Sequence, residues 1–141
     1  MIFDFIKGLS PILVNELRSE YERFLNELEF IAKINKNLAK WIEKNYELIT
    51  FLLELSVFYR RIMIPLKGVA EFGARVPYSL IIGSEVLNKD KLKNINRVVK
   101  IFERILSKYN ITPWLLDFGD IEEFLYKLIR FEKEIDEQTK L

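Results

Sequence analysis

The residues best placed to do chemistry in this chain are Lys89, Lys93, Arg97, Lys100, Arg104 and Lys108, which are spaced 4, 4, 3, 4 and 4. At helical periodicity they fall within a sector of about 100°, nearly opposite an apolar seam of Leu92, Ile95, Val99, Phe102, Leu106 and Tyr109. Such a stripe can neutralise phosphates along nucleic acid or lie against an anionic membrane surface. The competing reading is a solvated outer face, or a face paired with acidic helices. Glu16, Glu20, Glu22, Glu27 and Glu29 make the first helical stretch acidic, and Asp120, Glu122, Glu123, Glu132, Glu134, Asp136 and Glu137 do the same for the last.

Other groupings carry less. Gly68 and Gly73 have the spacing of a phosphate-binding loop, but Ala74 and Arg75 stand where Lys and Ser or Thr are needed, and no strand precedes them. A kinked connector is the plainer reading. Glu43, Glu47 and Glu54 share one stripe, yet a di-metal carboxylate bundle also uses Glu-x-x-His pairs and the chain has no histidine. They read better as the solvent edge of a helix or as partners of Arg60, Arg61 or Lys67. Tyr59, Arg60, Arg61 and Arg75 form a candidate anion pocket, although an Arg pair near a helix C-terminus is also favoured by the helix dipole.

With no Cys and no His there is no thiol nucleophile, disulfide, imidazole base or imidazole metal ligand. The expectation is a non-enzymatic protein with no cofactor, no metal site and no small-molecule substrate. The start of the chain lacks a basic segment before its apolar residues and Asp4 interrupts them, so a cytoplasmic location, or one within a virus particle, is expected. The lack of Cys and His, the single Gln138 and the richness in Ile, Lys and Glu would suit a protein from a hot environment.

The elements that must position these residues follow from periodicity and punctuation. A single domain over 1–141 is expected, all-α, a compact bundle of about four to five helices, with helices over 11–34, 38–64, 90–109 and 120–138 and an irregular Pro- and Gly-containing middle at 65–89. Ser10-Pro11 is a helix-start signal. From Val14 a 3,4 seam runs through Leu17, Tyr21, Phe24, Leu28, Ile31, Asn35, Leu38, Ile42, Asn45, Ile49 and Leu52. One long rod would satisfy it, but two antiparallel helices turning at Asn35-Lys36-Asn37 are favoured. The two asparagines either specify pairing within the seam or mark turns.

The segment 46–64 is apolar around almost its whole circumference, its polar stripe of Glu43, Glu47, Thr50, Glu54 and Arg61 covering only about 60°. It is the central helix of a bundle or a subunit interface. The leading functional expectation is therefore a helical interaction or assembly protein, a homo-oligomer associating through Leu48, Phe51, Leu52, Leu55, Phe58 and Tyr59, with a structural part in a larger particle, cellular or viral, as one form of it. The alternative is a nucleic-acid-binding accessory protein using the basic helix, and a third is membrane attachment through the apolar 1–9 segment with Phe3, Phe5 and Ile6.

Overall fold

A computed structural model describes residues 11–64 and 89–139. The expected middle segment, the Gly68–Gly73 grouping, Arg75 and the 1–9 segment lie outside the described residues. Those described are all-α, in six helices and one π-helical turn.

Helix α1 (Pro11–Ile34) opens on proline, whose missing N–H would have had no intrahelical partner there. Val14, Leu17, Phe24, Leu28 and Ile31 of the seam are buried. At Asn35 the backbone goes extended (φ −126°, ψ 97°), and its side-chain oxygen accepts from the Leu38 N–H at 3.2 Å, capping α2 (Lys36–Lys44). The chain reverses here, so α1 packs along α3 (Tyr46–Phe58) and the hairpin, not the rod, is what forms.

The expected single helix over 38–64 is interrupted twice. Asn45 takes ψ 17°, where a helix needs about −42°, and its Nδ2 donates to the Trp41 carbonyl at 2.9 Å. This breaks the axis between α2 and α3. Both seam asparagines thus mark helix ends. Beyond α3, Tyr59–Met63 forms a π-helical turn, in which the Ile64 N–H donates to the Tyr59 carbonyl five residues back.

Helix α3 is the centre of the bundle: every residue from 52 to 58 is buried, including Glu54, which is only 4% exposed, and Ser56, whose hydroxyl donates to the Leu53 carbonyl at 2.7 Å. Helix α4 (Lys89–Lys108) docks by aromatic contact, with the Phe102 ring 5.1 Å from Phe58 and stacked on Tyr59 at 6.3 Å. Asn110 ends α4 in the left-handed region (φ 53°). The Ile111 N–H donates to the Leu106 carbonyl at 2.9 Å and the Asn110 N–H to Ser107 at 3.3 Å, the paired bonds of a Schellman turn. The short α5 (Pro113–Leu116) buries Leu115 and Leu116.

Helix α6 (Ile121–Thr139) starts with its Glu123 N–H on Asp120 Oδ1 at 2.8 Å, while the Glu123 carboxylate reaches back to the Gly119 N–H, also at 2.8 Å. That is a capping box displaced by one residue. Lys127, nearly buried, donates to the Trp114 carbonyl at 2.9 Å and to the Asp117 carbonyl, tying α6 to the end of α5.

Truncating Phe58 to Ala removes a ring with no exposed surface and is expected to cost about 3–5 kcal/mol in chemical denaturation. Tyr126→Ala, at a position 67% exposed, is expected to change stability by no more than about 0.5 kcal/mol.

Candidate nucleic-acid interface

Helix α4 sorts its side chains by chemistry. Phe102 is buried and Val99, Ile105 and Leu106 are partly buried against the core, whereas Arg97, Lys100, Arg104 and Lys108 are exposed. Lys89 and Lys93 lie in the first turns of the same helix. Among the described residues, no carboxylate makes an ion pair with the four exposed cations. Four cations separated by 3, 4 and 4 residues make a row about 16 Å long at 1.5 Å per residue.

At the C-terminal end of this row lies a groove of about 680 Å³ between the α2–α3 break, the end of α4 and α6. Trp41, Leu48, Phe51, Tyr109 and Phe131 supply its apolar walls, and Lys44, Glu47 and Glu132 its charged rim. The Tyr109 ring meets Phe51 edge to face at 5.8 Å, and the Lys108 ammonium sits 5.5 Å from its centroid. The indole N–H of Trp41 donates to Glu132 at 3.2 Å, closing one wall. These residues come from three separate stretches of sequence, 41–52, 109–111 and 131–132; the one signal for the groove is that Tyr109 sits at the edge of the α4 seam.

The residues expected to mediate self-association divide. Leu52, Leu55 and Phe58 lie inside the chain's own core, where no second copy can reach them. Phe51 and Tyr59 are partly buried against that core, and Leu48 is exposed in the groove. From 52 to 58 the circumference of α3 is covered in cis, while Tyr46 and Leu48 remain exposed.

The expected anion pocket at Arg60 and Arg61 is already occupied by carboxylates. Arg61 pairs with Glu16 at 2.9 Å and with Glu20 at 3.4 Å, and Arg60 lies 3.5 Å from Glu20. The guanidinium of Arg60 lies against the rings of Phe24 and Phe118, which meet each other edge to face at 5.5 Å; it is 5.0 and 4.7 Å from their centroids and donates to the Phe118 carbonyl at 3.3 Å. Burial pulls its pKa down from the usual arginine value, Glu20 and Asp117 pull it up, and Arg23 and Arg61 add to the lowering. Thus the arginines fasten the end of α3 to α1, in place of the expected pairing with Glu43, Glu47 or Glu54. Of those carboxylates, Glu43 and Glu47 are exposed and Glu54 is buried. Among the described residues no group of three His, Cys, Asp or Glu side chains could hold a metal ion, and no helix is long and apolar enough to cross a membrane.

Compared with known proteins, the chain matches no family model, no curated protein and no solved structure.

Between α1 and α3, burial raises the Tyr21 phenol above its ordinary value; the Glu54 carboxylate and Tyr46 raise it further, and a hydrogen bond with Thr50 opposes them. The folded state therefore holds the phenolic proton more tightly than the unfolded chain does. Its contribution is complete below about pH 10, where both states are protonated, and is lost as the pH rises beyond it. In urea denaturation from pH 8 to 11, wild type is expected to lose stability relative to Tyr21→Phe above about pH 10, and a constant difference across that range would contradict this assignment.

Proposed function

We propose that this chain is a non-enzymatic binding protein that contacts the phosphates of nucleic acid through the basic face of α4. The observation that carries this reading is that Arg97, Lys100, Arg104 and Lys108 are all exposed and, among the described residues, unpaired by carboxylates. Four of the twelve acidic side chains that were candidates to cover this face are engaged elsewhere: Glu16 and Glu20 with Arg60 and Arg61, Glu123 with Lys127, and Glu132 with Trp41. A cytoplasmic location, or one within a virus particle, accords with a nucleic-acid partner.

Contacts of this kind are insensitive to sequence and release counterions. Four phosphates neutralised on a duplex correspond to a slope of about −3.6 in log K against log salt. Fluorescence anisotropy with a labelled duplex is expected to give a slope of that size, and the variant R97E/K100E/R104E/K108E is expected to lose binding altogether. Absence of binding by wild type at low salt would dispose of the reading.

A second reading, self-association, is supported by a different surface. Phe30 and Ile34 are 62% and 65% exposed and, four residues apart, share one face of α1. Light scattering is expected to show an oligomer that F30E/I34E converts to monomer; a strict monomer at high concentration would remove this reading.

A further inference from the structure

Where the row of cations on α4 ends, the groove begins, and the two are joined by consecutive residues: Lys108 is the last cation of the row and Tyr109 is a wall of the groove. Tyr109 is 52% exposed although Phe51 braces its ring edge to face, so the aromatic surface is both presented and held in place. The volume of about 680 Å³ lies within the ~300–1,000 Å³ typical of ligand-binding clefts. Its walls are aromatic and aliphatic, which suits a flat heterocycle rather than a phosphate.

The charges of the rim favour the same division of labour. Glu47 and Glu132 outnumber Lys44 among the groove's charges and leave it net negative, which disfavours phosphate there, while the cations of α4 attract it alongside. A nucleic-acid strand lying on α4 would thus keep its phosphates on the helix and turn a base into the groove. In a duplex the base faces are stacked and paired and cannot enter. In a single strand every base has a free face.

Resting on the phosphate-binding reading above, we infer that the partner is single-stranded nucleic acid, one base of which stacks on Tyr109 in the groove at the end of α4. The basic face supplies attraction along the backbone, and the groove supplies the preference for an unpaired strand. Tyr109 is an exposed residue at the helix end, so its truncation leaves the buried core in place.

The test uses the full chain, a fluorescein-labelled 12-nucleotide oligo(dC) and a labelled 12-base-pair duplex, at one salt concentration. Wild type is expected to bind the single strand more tightly than the duplex. Tyr109→Ala is expected to weaken single-strand binding by about 5- to 150-fold, the range for losing one stacked base, and to change duplex binding by less than about twofold. Tyr109→Trp is expected to retain the single-strand preference. If Tyr109→Ala leaves both affinities unchanged, or lowers both equally, the stacking site is overturned while phosphate binding on α4 stands. If neither probe binds wild type, both proposals fail together.

Discussion

The enclosure of α3 is the constraint on which the rest of the fold depends. Seven consecutive residues, 52 to 58, have lost their contact with water, so neighbours must stand on every side of that helix. A helix that is apolar all round is stable in water only when it is covered all round. Here α1 covers one side, α4 reaches it through Phe102 on Phe58, and α5 contributes Leu115 and Leu116. Of the residues first read as an interface between copies, Leu52, Leu55 and Phe58 are consumed by this arrangement.

Enclosure also dictates what happens to polar groups near the centre. Ser56 has no exposed surface and bonds back to its own helix, while Arg60 finds two ring faces, a carbonyl and Glu20. Desolvating a guanidinium is costly, and contact with aromatic faces together with a nearby carboxylate offsets that cost better for arginine than for lysine, whose compact ammonium is more strongly hydrated. The π-helical turn stands at this point, carrying Arg60 and Arg61 as neighbours that both reach acidic residues of α1.

Much of the fold was legible because its signals are local. Pro11 predicts the start at which α1 opens, and the ends predicted at 109 and 120 fall where Asn110 and Asp120 with Glu123 act through bonds within a few residues. The hairpin was legible as a preference, since Asn35 can cap whichever chain follows it. The interruption at Asn45 was legible as one of the two readings of a seam asparagine; the π-helical turn from Tyr59 was not, because nothing in a run of apolar residues distinguishes a straight helix from one that is locally widened. The partners of Arg61, Glu16 and Glu20, lie 45 and 41 residues away in sequence. Periodicity likewise announced that 46–64 needed cover, but not whether the same chain would provide it. The groove was illegible for a related reason: Trp41, Phe51, Tyr109 and Phe131 meet only after the bundle has formed.

Net charge near zero describes neither surface of this molecule well. Among the described residues, helix α4 meets the bundle through rings, Phe102 on Phe58 and Tyr59 and Tyr109 on Phe51, and none of its charges takes part. An ordinary solvated helix intersperses signs, as α6 does with Glu123 and Lys127 one turn apart. In contrast, α4 places Lys100, Arg104 and Lys108 at successive four-residue intervals, where like charges repel by roughly 0.2–0.5 kcal/mol per pair. A bound row of phosphates would turn that repulsion into attraction without moving any part of the core. The free protein carries a small electrostatic penalty on one face, and a polyanion is the class of partner that relieves it.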